Sequence, residues 1–261
     1  MSQNRFPLFR NALWLHSVCN LYAMNRGRAE ITEFVRATSD RNHNQPPLPG
    51  VYPDYAAPVV LNGEDGARTM RDMRWGMPSP KNVVLEATKK RANKLRAKGG
   101  AVDFAELLRM EPDKGVTNIR NVASAHWRPW LGPKNRCLVP FTSFSEPDQV
   151  GGSLTQIWFA FDDKRPPAVF AGVWTPWSSV RKVKEGMVDL EVFGILTTEA
   201  NADVATYHAK AMPVILTDAA ERDLWLSDAP WPEVAHLQRP LSDGALKVVA
   251  TGVKEDETIP G

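Results

Sequence analysis

The chain has few cysteines and no long apolar run. Its 261 residues include only Cys19 and Cys137, with no Cys-x-x-Cys pair and no Cys/His metal spacing, which argues against a disulfide framework or a zinc motif. With so little cysteine we expect a reducing, cytoplasmic compartment. No stretch approaches the roughly 20 apolar residues of a membrane span, so we expect no membrane partner. We also expect a monomer without a cofactor.

The chain also has little net charge, but the charge is uneven. The total is +2, with 43% hydrophobic and 24% charged residues, as in a globular domain with a sizeable core. Residues 68–98 nevertheless hold ten Lys or Arg residues against Asp72 and Glu86. Such an excess attracts phosphate backbones, although a solvated basic helix would have the same composition.

The order of apolar and turn-forming residues predicts an α+β fold. Residues 44–58 are proline-rich and predict an ordered loop. Residues 79–115 have the pattern of an insertion with a basic helix and a second short helix. From residue 136 onward short strands predominate. We expect a single domain over 19–255, with a curved, barrel-like, mainly antiparallel sheet flanked by helices, preceded by an extension over 1–18.

A cysteine near the start, in Cys19-Asn-Leu-Tyr, is the first candidate for chemistry. Its meaning depends on where the mature chain begins. A valine codon can also serve as a bacterial start, so initiation at Val18 and loss of the initiator would expose Cys19, as would cleavage after Val18. We therefore expect residues 1–18 to be absent from the mature protein. The alternative is a small buried thiol.

Four further polar residues, at three places in the chain, lie beside apolar segments. Asn118 and Arg120 are two residues apart and could share one face of a strand. Glu146 follows an apolar strand, where partial burial would suit a proton donor or acceptor. His208 precedes a buried strand and is placed for proton transfer. A solvent-facing turn, an exposed glutamate and a structural histidine are the respective alternatives.

The order of these motifs resembles that of the SOS response-associated peptidase (SRAP) family. The motifs are Cys-Asn-Leu-Tyr from 19, Trp-Gly-Met-Pro from 75, Asn-Ile-Arg-Asn from 118, Arg-Cys-Leu-Val-Pro from 136 with Glu146, and His208 before Met-Pro-Val-Ile-Leu. The resemblance spans about 19–253. The chain departs from the pattern in its 18-residue extension, in the neighbours of Glu146, and in the spacing from His208 to the Met-Pro proline.

The resemblance implies a function in the response to DNA damage. It implies that Cys19, as an N-terminal residue, traps abasic sites of single-stranded DNA in a thiazolidine, with an associated peptidase activity that exposes Cys19 and a possible lyase activity. The protein would associate with the nucleoid when bound to DNA. The implied catalytic residues are Cys19, Asn118, Glu146 and His208. The implied DNA-binding residues are Arg120, Trp75, Gly76 and Arg74.

Two other functions remain open from the residues alone. A cysteine peptidase or amidohydrolase could use Cys19 as nucleophile, His208 as base and Asn118 to orient the base. A non-catalytic protein could bind single-stranded DNA without covalent chemistry, in which case binding would be salt-sensitive and independent of Cys19 and Glu146. The mass of the mature N-terminus separates the crosslinking function from the others, since crosslinking needs a free amine on Cys19.

Overall fold

The fold is that of a computed structural model. The structure describes residues 20–40, 46–63 and 65–256. The strands are β1 (Leu21–Met24), β2 (Ser39–Asp40), β3 (Leu48–Val51), β4 (Ala56–Asn62), β5 (Arg68–Trp75), β6 (Asn118–Ile119), β7 (Arg136–Phe141), β8 (Ser143–Pro147), β9 (Gln156–Ala160), β10 (Ala168–Val180), β11 (Met187–Thr198), β12 (Met212–Pro213), β13 (Ile215–Leu216) and β14 (Lys247–Thr251). The helices are α1 (Arg28–Phe34), α2 (Lys81–Arg96), α3 (Phe104–Arg109), α4 (Ala202–Ala205), α5 (Ala219–Trp225) and α6 (Trp231–Val234).

The described strands form two sheets. The smaller has five strands in the order β14-β9-β8-β1-β3, and the larger has nine. In the larger sheet β5 pairs in parallel with β11, while β4, β7 and β10 connect the same two strands by antiparallel pairs. Five strands thereby form a closed ring. The expected α+β fold with a barrel-like, mainly antiparallel sheet is confirmed.

Alternation along the strands divides most of the core between two large clusters. In β7, Cys137, Val139 and Phe141 point into a cluster shared with the smaller sheet, whereas Leu138 points into a second cluster. In the first, Phe141 stacks on Phe170 with ring centroids 3.8 Å apart. The second cluster is covered by helices, as expected for a sheet flanked by helices. Each large apolar side chain buried in this way contributes about 1.5–3 kcal/mol.

The proline-rich segment differs from the expected loop. β3 lies within it and pairs with β1. Pro49 cannot donate a ladder hydrogen bond, but β3 is the last strand of its sheet, where a proline is tolerated. The local composition favoured a loop, but pairing with the distant strand β1 makes residues Leu48–Val51 a strand.

The insertion contains the two helices that the sequence predicts. α2 ends ahead of Gly99, whose φ of 78° suits glycine. α3 begins after Asp103, whose side chain accepts a hydrogen bond from Glu106 N. In the part of the chain that the structure describes, no helix is long and apolar enough to cross a membrane.

Candidate active site

The start of β1 and the end of β8 form the floor of the candidate site. The two strands are antiparallel, with Leu21 opposite Ser145 and Tyr22 opposite Phe144. Continued by one residue, this register places Asn20 opposite Glu146. The sequence predicted that the apolar strand ending at Phe141 would lead to Glu146. The glutamate instead lies on a second strand, β8, which immediately follows.

Glu146 and His208 form a buried pair. His208 Nδ1 lies 3.9 Å from Glu146 Oε2, and both residues are fully enclosed. His208 follows α4 and donates its backbone N–H to Val204 O at 2.8 Å. The preceding carbonyl, of Tyr207, accepts backbone hydrogen bonds from the segment after β8. These bonds fix the histidine beside the end of β8, at a distance where a small movement would permit proton transfer.

Burial lowers the pKa of His208. Desolvation is the largest cause, and the positive charge of Lys210 lowers the pKa further, whereas the nearby backbone of Pro147 opposes the shift. The imidazole is therefore neutral near pH 7. A neutral imidazole can accept a proton, which is the property that a general base needs.

A hydroxyl links the two asparagines of the site. Thr117 Oγ1 donates to Asn20 Oδ1 at 3.0 Å and accepts from Asn118 Nδ2 at 3.0 Å. Asn118 lies on β6, which pairs in parallel with β11. The Thr117 carbonyl accepts from Ile195 N at 2.9 Å and from Trp75 Nε1 at 3.2 Å. The Asn20–Thr117–Asn118 chain is thus anchored to the barrel through its backbone.

Arg120 joins two segments at the rim of the site. Its Nη1 donates to the carbonyls of Thr198 and Lys210, at 2.9 and 2.8 Å. The side chain is 48% exposed. Nη1 therefore fixes the loop that carries His208, while Nη2 lies 3.7 Å from the exposed carboxylate of Glu199. A phosphate at this half-exposed guanidinium would take the place of Glu199.

Trp75 does not have the position that base stacking requires. Its ring is fully buried, with its centroid 5.1 Å from that of Tyr22 and 6.2 Å from that of Phe193. Because protein side chains enclose the ring, it has no free face on which a base could stack. The implied contact of Trp75 with DNA stays a prediction. Through its bond to Thr117, the residue instead supports the wall of the site.

Arg74 and Gly76 also have partners within the protein. Arg74 makes a two-pronged ion pair with Glu185, at 3.0 and 2.9 Å, and its Nε contacts Asp54. Gly76 has a φ of 143°, and a Cβ there would collide with the guanidinium of Arg181. A structural reason for each residue type is thus present. Contact of Arg74 and Gly76 with DNA stays a prediction.

The structure adds two residues, Asn20 and Thr117, to the predicted site and does not describe Cys19. The roles of Asn20 and Thr117 were missed, although both adjoin residues that the motifs contain. Their signal was a short polar residue next to Cys19 and next to Asn118. Cys19 itself lies outside the described residues, and its role stays a prediction. Within the described ranges no group of three or more His, Cys, Asp or Glu side chains could hold a metal ion.

Comparison with known proteins identifies the family. Three solved structures share the fold: a protein from Bordetella bronchiseptica (21% identity, 88% of this chain and 97% of that one, TM-score 0.59), one from Bacteroides thetaiotaomicron (19%, 88% and 90%, 0.59) and a phage-related protein from Bordetella bronchiseptica (17%, 88% and 92%, 0.56). A search of curated proteins gave no significant match. The family model for SOS response associated peptidase (SRAP) matches residues 18–255, and the chain belongs to this family.

Proposed function

We propose that this protein binds single-stranded DNA and forms a covalent thiazolidine crosslink between Cys19 and the aldehyde of an abasic site. The observation that carries the proposal is the buried Glu146–His208 pair at the start of β1. Asn20 directly precedes that strand, and Cys19 is joined to Asn20 by one peptide bond. The proposed nucleophile is therefore linked directly to a site that holds a proton acceptor.

The reaction requires an N-terminal cysteine. The α-amino group attacks the aldehyde carbon, and loss of water leaves a Schiff base. The thiol then adds to the same carbon, its proton passes to the nitrogen, and a five-membered ring closes. An α-amino group has a pKa of roughly 7.7–8.0, so a useful fraction of it is neutral at physiological pH, whereas a lysine near 10.4 is almost entirely protonated.

The buried pair supplies the proton transfers in this proposal. Opening of the deoxyribose ring and loss of water each need a donor and an acceptor. Glu146 and His208 are assigned these roles because they are close together and shielded from water. Asn118 orients the attacking amine through the amide network, and Arg120 binds a phosphate at the rim.

The proposal includes exposure of Cys19. An internal Cys19 has an amide nitrogen, which cannot form a Schiff base. Initiation at Val18 or cleavage after it would provide the amine, and an autopeptidase step at this bond would use the same proton-transfer pair. The N-terminal mass of the protein purified from cells tests this part, because molecules that all keep residues 1–18 would lack the reactive amine.

The crosslink is tested with protein that begins at Cys19 and a single-stranded oligonucleotide with one abasic site. We expect a band that survives denaturing electrophoresis and needs no reductant. Cys19→Ser keeps the amine and loses the thiol, so it should form only a Schiff base, which borohydride traps. Absence of a band from the wild type, or an equally stable band from Cys19→Ala, would overturn the proposal.

A further inference from the structure

The insertion forms a helical arm whose root lies next to the candidate site. Met77 and Val116 are joined by two backbone hydrogen bonds, of 2.9 and 2.7 Å, and the arm lies between them in the chain. Asp113 fastens the same end by accepting from Ser79 N and Gly115 N. Thr117, whose hydroxyl holds Asn20 and Asn118, follows directly. DNA that enters the site therefore passes near the root of the arm.

The long helix of this arm exposes most of its surface. α2 packs on α3, and its buried residues are Thr88 and Ala92. These two small residues are one turn apart and define the inner face. Lys90 lies two positions after Thr88, and Lys94 two positions after Ala92. Two positions correspond to about 200° around the helix, so both lysines lie on the outer face. Both are exposed.

The charge of the protein is concentrated on this helix and its closing turn. Residues 79–100 carry seven basic side chains and one acidic one, a net charge of +6 in a chain whose total is +2. Lys89 pairs with Glu86, and Arg91 lies 3.4 Å from Glu111. Among the described residues, the other five basic side chains of this stretch have no ion-pair partner: Lys81, Lys90, Lys94, Arg96 and Lys98.

Folding alone does not account for this pattern. Lys94 and Arg96 lie in the last turn, where the helix dipole favours positive charge. Lys90 lies in the middle of α2, one turn from Lys94, and like charges at that spacing destabilise a helix. A row of phosphates would neutralise them, with release of counterions from the nucleic acid.

We propose that the outer face of α2 binds the phosphate backbone of DNA that extends from the candidate site. Lys90 and Lys94 are about 6 Å apart along the helix axis and contact neighbouring phosphates. The contacts are independent of base sequence, because they reach only the backbone. The inference rests on the proposed function in one respect, namely that the DNA reaches α2 from the site.

The test measures binding of undamaged single-stranded DNA as a function of salt, with protein that begins at Cys19. The probe is a fluorescent oligonucleotide of about 20 nucleotides. This is longer than the roughly 4–16 nucleotides that one OB-fold domain covers on single-stranded DNA. The double variant Lys90→Gln/Lys94→Gln is compared with Lys164→Gln/Lys247→Gln. The control removes the same charge from two exposed lysines. Lys164 lies in the turn after β9, and Lys247 lies on β14 opposite Ala160, at the end of β9 that is far from Glu146.

We expect the slope of log affinity against log salt to become shallower by about 1.4 in the α2 variant, at about 0.7 for each lost phosphate contact. The control should keep the wild-type slope. An unchanged slope in the α2 variant would overturn the inference and leave an acidic protein as the better partner for this face. Equal changes in both variants would also overturn it, because they would reflect net charge alone.

The outcome can be separated from that of the proposed function. Undamaged DNA has no aldehyde, so the salt slope does not depend on the chemistry of Cys19. A protein with an α2-dependent slope that forms no crosslink would overturn only the proposed function. A protein that crosslinks abasic DNA while the α2 variant keeps the wild-type slope would overturn only the inference about α2.

Discussion

His208 Nδ1 lies 3.9 Å from Glu146 Oε2 in a position from which water is excluded. The distance is longer than a hydrogen bond, so these two atoms are not hydrogen-bonded to each other. They are nevertheless close enough for the charge on one group to affect the other. Each comes from a different part of the chain, one from β8 and one from the segment after α4. Their proximity is the main reason to regard this end of the barrel as reactive.

Replacement of Glu146 by Gln should slow crosslink formation by a factor of about 10²–10⁴, the usual contribution of a positioned acid or base. The amide has nearly the same size but cannot take up a proton. The rate is measured by quenching the reaction with abasic single-stranded DNA at successive times. Glu233→Gln, at an exposed position on α6, is the matched control and should react at the wild-type rate. Equal rates in both variants would remove Glu146 from the chemistry.

Stability should fall as the pH is lowered below about 6.5, the ordinary pKa of histidine. The folded protein lowers the pKa of His208, so below this pH the unfolded chain binds a proton more readily than the folded one. Protonation then favours unfolding, and the loss grows until the pH reaches the lower pKa of the folded state. Urea unfolding at about pH 7.5 and about pH 5.5 measures the change.

His208→Gln provides the comparison for this pH effect, because it cannot gain a charge. We expect it to lose less stability than the wild type over the same interval. An ionised Glu146 would act in the opposite direction, by attracting a proton to His208. A wild type that loses no more stability than the variant would therefore show that this attraction outweighs desolvation.

Loss of the Thr117 hydroxyl should separate the two asparagines. Thr117→Val keeps the shape and removes both 3.0 Å hydrogen bonds. We expect a loss of about 1 kcal/mol in the free energy of unfolding and a roughly 10-fold slower crosslink, because the amine would be held less well. Thr117→Ser retains the hydroxyl and should restore most of the rate. A Thr117→Val protein as fast as the wild type would contradict a positioning role.

The sequence predicted most elements and pointed to Asn118, Glu146 and His208, but it missed Asn20 and Thr117 and did not predict how these residues meet. Local composition was sufficient for α2 and for β7, a basic helix closed by glycines and a short apolar run. Pairing of β1 with β8 joins segments more than 100 residues apart, and no local pattern contains that information. The burial of Trp75 likewise depends on Tyr22 and Phe193 from distant strands, so its motif could not distinguish a core ring from a stacking platform.

Gly76→Ala should destabilise the fold by about 2–4 kcal/mol. The backbone at this position has a φ of 143°, which side chains rarely adopt, and the added methyl group would meet the guanidinium of Arg181. Strain and overpacking each contribute about 1–3 kcal/mol. Gly186→Ala also has a positive φ but open space around it, so it should cost only about 1–2 kcal/mol. Equal losses from the two variants, by chemical denaturation, would show that contact with Arg181 does not matter.

Cys137 should not react with thiol reagents in the native protein. Burial raises the pKa of its thiol, and the side chain is fully enclosed in the core, so the reactive thiolate is almost absent. In a Cys19→Ala protein we expect no mass increase after treatment with an alkylating reagent, and one adduct once guanidinium has unfolded the chain. A native adduct on Cys137 would contradict this expectation. Since Cys19 and Cys137 are the only cysteines, an inert Cys137 means that any thiol-dependent crosslink of the folded protein must use Cys19.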